Sequence, residues 1–210
     1  MNTAVAPDKS AIRDICLGRR ESLKLDFRQA ASAQIHTLLA ALLTARNLVE
    51  NVEIAAYLPI RSEVDLVPLL PDLCKAGALL SLPVVVSRTN IVFRRYASGD
   101  PLGPAGFGTI GPEESAASVE PQVVLMPLAG FDARGGRIGY GAGHYDRAVH
   151  SLRQKGRDPI TIGVGFAVQQ VEQVPVEPHD IPLCVIVTEA GVTDAGFSNS
   201  TETSSLKVGA

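Results

Sequence analysis

The chain alternates between segments with apolar residues at helical spacing and short, continuous apolar runs. An apolar residue every three or four positions predicts a helix with one buried face, and a run of about four to eight apolar residues predicts a buried strand. Two helices are expected first, the earlier one capped by Asp8. Their predicted inward residues are Ile12, Ile15, Cys16 and Leu23 in the first helix, and Phe27, Ala31, Ile35, Leu38, Leu39 and Leu42 in the second.

Predicted strands follow at residues 52–58, 82–86, 91–96, 122–126, 160–165 and 184–187, with predicted helices at 66–76 and 143–154. Strands that alternate with helices are typical of a layered α/β domain with a parallel sheet. We therefore predict a three-layer α/β/α fold with a mainly parallel sheet, in one domain over residues 1–194. The segment 195–210 lacks periodicity and is predicted to be a disordered polar tail. The long connection 97–121, rich in Gly and Pro, is a lid candidate.

The composition limits the classes of partner. The chain has 210 residues, 46% of them hydrophobic, and a formal net charge of −3, so nucleic-acid binding is not expected and any anion site has to be local. No apolar run approaches the ~18 to 20 residues that span a bilayer, and the start lacks a secretory apolar region. We predict no membrane association and a cytoplasmic location. The widely spaced Cys16, Cys74 and Cys184 are expected to be buried, reduced thiols.

The most informative segment, residues 123–147, leads from an apolar run into a loop with five glycines between positions 135 and 143, which we call the glycine loop. Glycine reaches positive φ at little cost and lets backbone N–H groups close on an anion, while Arg137 and Arg147 add positive charge. A helix beginning near Gly143 would direct its positive dipole end at the same anion, so the loop predicts a phosphate site. The chain lacks the Gly-Lys-Ser/Thr of a P-loop, and His144 stands where a dinucleotide fingerprint has its third glycine. Neither standard nucleotide fold is indicated.

The same segment resembles the signature of the 5-formyltetrahydrofolate cyclo-ligases, also called 5,10-methenyltetrahydrofolate synthetases. The matching residues are Pro127, Phe131, Asp132, Gly135, Arg137, Gly139, Gly141, Gly143, Tyr145, Asp146 and Arg147. Further similarity over residues 9–192 is carried by Lys9, Arg13, Tyr57, Pro59, Glu63, Asp65, Leu82, Pro83, Val84, Val174, Pro175, Glu177, His179, Asp180, Pro182, Thr188 and Glu189. The chain departs from the family at His144, usually tyrosine, at Gly111 to Glu114, usually containing Glu-Pro, and at Cys184, usually aspartate.

This resemblance implies a cyclo-ligase-like catalytic domain that uses ATP and Mg²⁺ to convert 5-formyltetrahydrofolate into 5,10-methenyltetrahydrofolate, with release of ADP and phosphate. The γ-phosphoryl group would pass to the formyl oxygen, and N10 would then close the ring as phosphate leaves. The implied partner is the small-molecule folate substrate. We expect a monomer or a weak homo-oligomer.

The resemblance also implies which residues form the site. The expected catalytic residues are Arg137, Tyr145 and Asp146. The expected ATP-binding residues are Lys9, Ser10, Ala11, Ile12, Arg13, Arg137, Ile138, Gly139, Tyr140, Gly141, Ala142, Gly143, His144 and Tyr145. The expected substrate-binding residues are Arg13, Leu58, Glu63, Tyr140, Gly141, Ala142, Gly143 and His144, and the expected Mg²⁺ ligands are Asp146 and Asp180.

Plainer interpretations of these residues stay open from the sequence. Asp146 could cap a helix or interact with its dipole, and His144 could act as a general acid or base or replace an aromatic wall residue. Either Tyr140 or Tyr145 could stack on the folate or adenine ring. For the whole chain, the alternatives to a ligase are a folate- or nucleotide-binding module without turnover, and a sugar-phosphate isomerase or acyl-CoA transferase that needs no ATP.

Overall fold

The computed structural model describes residues 8–106 and 108–196. The helices are α1 (Lys9–Glu21), α2 (Leu25–Ala45), α3 (Leu70–Lys75) and α4 (His144–Gln154), with 3₁₀ turns at Val67–Leu69 and Ala167–Gln169. The strands are β1 (Glu53–Ala55), β2 (Leu79–Val85), β3 (Ile91–Arg95), β4 (Leu102–Pro104), β5 (Ile110–Pro112), β6 (Ser118–Val119), β7 (Val123–Pro127), β8 (Gly130–Phe131), β9 (Arg137–Ile138), β10 (Ile160–Val164), β11 (Val185–Thr188) and β12 (Gly191–Asp194). None of the described helices combines the length and the apolar character needed to cross a membrane.

Eight strands form one sheet in the order β12-β11-β10-β7-β1-β2-β3-β6. The five strands from β11 to β2 run parallel. At the two sides, β12 pairs antiparallel with β11, β3 with β2, and β6 with β3. Two small antiparallel pairs, β4 with β5 and β8 with β9, lie outside this sheet. The prediction of a mainly parallel sheet is confirmed.

The order of the parallel strands reverses between β1 and β7. The chain passes from β1 to β2 on one side, and later continues through β7, β10 and β11 on the other side. The loops that leave the carboxyl ends of β1 and β7 therefore diverge, and such a point of divergence is where open α/β sheets bind ligands. Glu63 follows β1 and the glycine loop follows β7, so both predicted parts of the site belong to this crevice.

Side chains of the central strands alternate between two hydrophobic cores. Val123 and Leu125 of β7 pack in the core beneath α2 and α3, whereas Val124 and Met126 pack in the core against α4. A strand buried on both faces is apolar at consecutive positions, which is why these runs show no polar alternation. Helices α2 and α3, the sheet, and α4 are thus the three predicted layers.

Several predicted details are wrong. Ile15 and Phe27 are 52% and 45% exposed, because α1 buries only the narrow stripe of Ile12, Cys16 and Arg20, and the buried face of α2 begins at Ala31. Within the predicted strand 52–58, only β1 forms a strand of the sheet. The predicted helix 66–76 begins as a 3₁₀ turn, since its prolines lack the N–H that an α-helix would use.

The lid candidate and the tail are only partly as predicted. Segment 97–121 carries β4, β5 and β6, and Ala105 O accepts a 3.1 Å hydrogen bond from Val85 N on β2. This segment is therefore anchored to the sheet. At the other end, Ala195 N donates to Cys184 O at 2.9 Å, and Ala195 packs against the α4 core. Residues 197–210 of the predicted tail lie outside the described residues.

Helix α1 packs closely on β8 at Gly130. A Cβ at position 130 would lie 2.9 Å from the buried Cys16 Sγ. Gly130→Ala is therefore expected to lower the free energy of unfolding by about 1 to 3 kcal/mol, the usual cost of overpacking, as measured by urea denaturation.

Gly18→Ala is the matched control within α1. An added Cβ at this exposed position has no neighbour within 4 Å, and alanine forms helix better than glycine, so the free energy of unfolding should rise by up to about 1 kcal/mol. Equal stabilities of Gly130→Ala and the parent protein would contradict the close packing of α1 on β8.

Candidate active site

A cleft of about 930 Å³ opens beside Pro127, at the carboxyl end of β7. Its volume falls within the ~300 to 1,000 Å³ typical of small-molecule sites. Helix α1, the glycine loop, the start of α4 and residues 177–181 line it. Among the residues predicted for the site, the lining contains Lys9, Arg13, Arg137, Ile138, Gly139, Tyr140, Gly141, Ala142, Gly143, His144, Tyr145, Asp146 and Asp180.

Five predicted site residues are not part of this lining. Ser10 and Ala11 are exposed, and Ile12 is 5% exposed in a small core with Cys16, so its side chain is directed away from the cleft. Leu58 packs against the core beneath α2, and Glu63 is 8% exposed. The described residues of the lid candidate 97–121 are also absent from the lining.

The glycine loop is anchored by Asp132, which is 1% exposed. Its carboxylate accepts hydrogen bonds from the backbone N–H groups of Arg134 (2.9 Å), Gly136 (3.0 Å) and Val174 (2.8 Å). A Cβ at position 136 would lie 2.8 Å from Asp132 Oδ2, so only glycine permits this approach. Asp132 was part of the predicted signature but had no assigned role, and the structure gives it one as the anchor of the loop.

Two arginines hold the tip of the loop from opposite sides. Arg13 Nε donates to Gly139 O at 2.7 Å, and Arg147 donates to Ala142 O and, at 2.5 Å, to Thr89 O. Gly141 and Gly143 take positive φ values of 98° and 64°, which glycine adopts at little cost. Gly143 is the N-cap of α4, so the positive end of the helix dipole faces the cleft as predicted.

Two cations of the cleft, Arg137 and Lys9, are paired with carboxylates of the cleft. Arg137 donates to Asp146 Oδ1 at 2.7 Å, and Ile181 N donates to the same oxygen at 3.0 Å. The side chain of Asp146 does not cap α4, but Asp146 lies in the first turn of the helix, where a carboxylate interacts favourably with the helix dipole. Lys9 Nζ lies 2.5 Å from Asp180 Oδ2 and 3.1 Å from Glu177 Oε2.

The ion pair with Lys9 also determines the direction in which the pKa of Asp180 is shifted. Burial alone would raise this pKa, but the hydrogen bonds from Lys9 and from Glu177 N outweigh burial and lower it. Burial likewise opposes the charged form of Lys9, whose pKa is nevertheless raised by Asp180 and Glu177. Both groups are therefore charged at neutral pH.

The two aromatic candidates differ in accessibility. Tyr145 packs against the α4 core, and burial, reinforced by the charge of Glu63, raises its pKa well above the ordinary value. Tyr140 is 38% exposed and lines the cleft. Tyr140 is thus the better placed of the two to stack on a ligand. His144 Nε2 lies 3.0 Å from Arg88 O, a contact that requires the ring proton on Nε2.

Sequence analysis missed Arg20, which is fully buried behind the glycine loop. Arg20 donates to Tyr140 Oη at 2.7 Å and to Ser62 Oγ at 3.0 Å. The available signal was its place on the buried stripe of α1, four residues after Cys16. An arginine at a core position of a helix needs polar partners inside the protein.

A sequence model of the 5-formyltetrahydrofolate cyclo-ligase family matches residues 5–189. The chain belongs to this family. It is 31% identical over 180 residues to the 5-formyltetrahydrofolate cyclo-ligase of Escherichia coli (strain K12), which covers 83% of this chain and 96% of the relative. The enzyme of that name from Haemophilus influenzae is 32% identical over 148 residues, covering 66% of this chain and 78% of the relative.

Two solved 5,10-methenyltetrahydrofolate synthetases share the fold of this family member. The protein from Mycoplasma pneumoniae superposes with a TM-score of 0.70 at 26% identity, covering 87% of this chain and 99% of that chain. The protein from Aquifex aeolicus superposes with a TM-score of 0.75 at 30% identity, covering 95% and 98%. The predicted family and the predicted α/β architecture are confirmed.

Glu63 gives the site a measurable dependence on pH. Burial raises the pKa of its carboxyl, opposed by the N–H of Ile60 and the charge of Arg20. The folded state therefore holds this proton more tightly than the unfolded chain, so stability falls as the pH rises from about 4.3 through the folded pKa. Glu63→Gln removes this loss. The free energy of unfolding of Glu63→Gln minus that of the parent protein, both measured by urea denaturation, should therefore be larger at pH 7 than at pH 4.

Asp65→Asn controls for the loss of one negative charge, because Asp65 is an exposed carboxylate two positions later. Its effect on the free energy of unfolding should change less between the two pH values than that of Glu63→Gln. The same stability difference for Glu63→Gln at pH 4 and pH 7 would refute a raised pKa for Glu63.

Proposed function

We propose that this protein is an ATP-dependent ligase that converts 5-formyltetrahydrofolate into 5,10-methenyltetrahydrofolate with release of ADP and phosphate. Membership of the cyclo-ligase family supports the reaction. The observation that carries the assignment of the site is the cleft at the end of β7, where Lys9, Arg13 and Arg137 meet the glycine loop and the N-terminus of α4. Arg137 Nε and Glu63 Oε1 have no hydrogen-bond partner of good geometry in the described chain. Leaving such atoms unpaired costs about 1 to 3 kcal/mol each, which bound ligands would offset.

The nucleotide phosphates fit the glycine loop. Lys9, Arg13 and Arg137 line the cleft, together with the N-terminus of α4. Phosphoryl transfer depends mainly on positioning the acceptor and neutralising charge on the phosphate oxygens, which cations and backbone N–H groups can do. In this proposal Ser10, Ala11 and Ile12 contribute through the backbone of α1, since their side chains lie outside the lining.

Asp146 and Asp180 fit a magnesium site. Mg²⁺ prefers a few carboxylate oxygens together with substrate phosphates, and both aspartates line the same cleft as the cations. The hydrogen bond from Ile181 N to Asp146 holds the two carboxylate segments together. When bound, Mg²⁺ would neutralise charge on the ATP phosphates.

In this proposal the folate binds beside Tyr140, between the loops after β1 and β7. Glu63 Oε1 can accept a hydrogen bond from the polar edge of the pterin, while Leu58 supplies an apolar wall and Tyr140 a ring for stacking. His144 completes the wall beside Tyr140. We assign His144 this role because its ring is already hydrogen-bonded to Arg88 O.

The reaction needs activation of a poor electrophile. Transfer of the γ-phosphoryl group to the formyl oxygen converts that oxygen into a good leaving group. N10 then attacks the formyl carbon, and the carbon–oxygen bond breaks with release of phosphate. Holding N10 next to this carbon makes ring closure effectively unimolecular, an advantage that reaches ~7 to 11 kcal/mol in well-oriented systems. Arg137 and Tyr145 would position the phosphoryl group, and no covalent protein nucleophile is needed.

We further propose a cytoplasmic enzyme that acts on small molecules as a monomer or weak homo-oligomer, without nucleic-acid or membrane partners. The net charge of −3 supports the absence of a nucleic-acid partner. All three cysteines are free thiols, as is usual for proteins in a reducing compartment.

The function is tested by incubating the protein with 5-formyltetrahydrofolate, ATP and Mg²⁺ and monitoring the near-ultraviolet absorbance of the methenyl product. Arg137→Ala should raise the KM for ATP about tenfold to a hundredfold, the effect of losing a charged hydrogen bond to phosphate. Arg134→Ala is the matched control, since Arg134 lies on the same loop with a 64% exposed side chain. Its KM for ATP should change less than about twofold.

Two results would overturn the proposal in different ways. Product formation that is unchanged when ATP is omitted would favour the isomerase or transferase alternative. Tight binding of 5-formyltetrahydrofolate without product would identify a binding module that lacks turnover.

A further inference from the structure

Arg20 is a buried cation with neutral partners. Its Nε donates to Ser62 Oγ at 3.0 Å, and its Nη atoms donate to Leu128 O at 3.4 Å and to Tyr140 Oη at 2.7 Å. Neutral acceptors only partly offset the cost of desolvating a charge. Stability alone therefore gives little reason for an arginine at this position of α1.

The three acceptors belong to the three segments that enclose the crevice. Ser62 lies in the loop after β1, Leu128 directly follows β7, and Tyr140 belongs to the glycine loop. A planar guanidinium holds its donors in a fixed arrangement. One side chain of α1 thus sets the positions of both crevice loops relative to each other.

Tyr140 is held through both its hydroxyl and its ring. The hydroxyl accepts from Arg20, and the Cζ atoms of Arg20 and Arg61 lie 5.8 Å and 5.7 Å from the ring centroid. These are cation–π distances. The ring is therefore oriented before any ligand binds, although 38% of the residue is exposed.

Glu63 lies in the loop that Arg20 binds through Ser62. It directly follows Ser62, and its Oε2 accepts from Ile60 N at 2.9 Å. The charge of Arg20 opposes the effect of burial on the pKa of Glu63, and the hydroxyl of Tyr140 acts in the same direction, although no hydrogen bond of good geometry joins that hydroxyl to Oε1. Arg20 therefore favours the ionised form of the carboxylate.

We propose that Arg20 is a positioning residue for the folate, because it orients the ring of Tyr140 directly and the carboxylate of Glu63 through the loop of Ser62. This inference rests on the proposed function. In it, Arg20 acts through these two side chains without contacting the substrate. The rigid arrangement lowers the ordering cost of folate binding.

Tyr140→Phe and Arg20→Lys test this role. The first removes the hydroxyl and keeps the ring, and the second keeps the charge but loses the planar fork. Each should raise the KM for 5-formyltetrahydrofolate about tenfold, with a smaller change in the KM for ATP. The double variant should show about the same tenfold effect, because both substitutions break one shared hydrogen bond.

Arg19→Lys is the matched control, since Arg19 is the neighbouring, exposed arginine of α1; its KM for folate should stay within about twofold of the parent value. A purely structural role of Arg20 would lower the melting temperature without moving the KM for folate. Multiplicative KM effects in the double variant, or an unchanged KM in Tyr140→Phe, would overturn the proposal. Tyr140→Phe decides the outcome if Arg20→Lys fails to fold. If the parent protein itself showed neither turnover nor folate binding, the proposed function would be refuted instead.

Four charged groups on the other side of the cleft carry a second, independent inference. Arg137 and Asp146 form one pair with side chains 9% and 15% exposed, and Lys9 and Asp180 form another with side chains 22% and 20% exposed. The proposed phosphate-binding cations are thus paired with the proposed metal ligands. A phosphate alone would leave the carboxylates unpaired, and a divalent cation alone would have to displace the cations.

We infer that these ion pairs couple nucleotide binding to metal binding by exchange of partners. Lys9 and Arg137 pass to the phosphates as Asp146 and Asp180 pass to the metal. Once one ligand has bound, all four groups keep a partner only if the other ligand binds as well. The coupling is reciprocal, as linkage requires.

The exchange is tested by three calorimetric titrations: with Mn²⁺ alone, with a non-hydrolysable ATP analogue alone, and with the analogue together with the metal. Arg137→Met should increase the affinity for Mn²⁺ alone about fivefold or more, because Asp146 loses its competitor. Arg147→Met is the matched control: Arg147 lines the same cleft, but its hydrogen bonds go to backbone carbonyls. Asp146→Asn should strengthen binding of the metal-free analogue and weaken binding of the metal–analogue complex.

The opposite changes expected for Asp146→Asn, in binding of the metal-free analogue and of the metal–analogue complex, distinguish the exchange of partners from the simple loss of a metal ligand. Weaker binding of both forms of the analogue, or an equal gain in Mn²⁺ affinity in Arg137→Met and Arg147→Met, would overturn the exchange. Failure of the parent protein to bind the analogue even with metal would refute the proposed function itself.

Discussion

The reversal of strand order between β1 and β7 is the constraint on which the site depends. Parallel strands end at a common edge, and the reversal makes the loops after β1 and β7 diverge there. Helix α1 closes this opening: Arg13 binds the glycine loop, and Arg20 binds both loops. The positions of Glu63 and Tyr140 follow from the topology of the sheet together with one helix.

This arrangement requires small residues and buried polar anchors where the backbone segments meet. Gly130 lets α1 approach β8 at Cys16, and Gly136 lets the backbone approach Asp132. Asp132 then satisfies three N–H groups that would otherwise be unpaired in the turn. Asp132 of the signature and the neighbouring Gly136 therefore shape the loop, whereas Gly141 and Gly143 present it to the cleft.

The sequence predicted those features that local periodicity or a local motif encodes. The apolar runs of β7 and β10, the Asp8 cap and the glycine loop are of this kind. Ile15 and Phe27 were misplaced because helical spacing does not reveal how wide a face the sheet covers. Arg20 was missed because its acceptors Ser62, Leu128 and Tyr140 are 42 to 120 residues away in the chain. Long-range pairing of polar groups has no periodic signature.

The buried charges divide the work of the fold between stability and binding. A stable core would favour apolar residues at the positions of Arg20 and Glu63, since buried charges are costly unless fully paired. Among the buried atoms that lack hydrogen-bond partners of good geometry in the described chain are Glu63 Oε1 and Arg137 Nε, which belong to residues proposed to bind ligands. The surrounding cores, above all the strands buried on both faces, supply the stability that tolerates these atoms. In the proposed function, the unsatisfied hydrogen-bonding capacity of Glu63 serves the folate and that of Arg137 serves the phosphates, so that binding, and not stability, accounts for these two atoms.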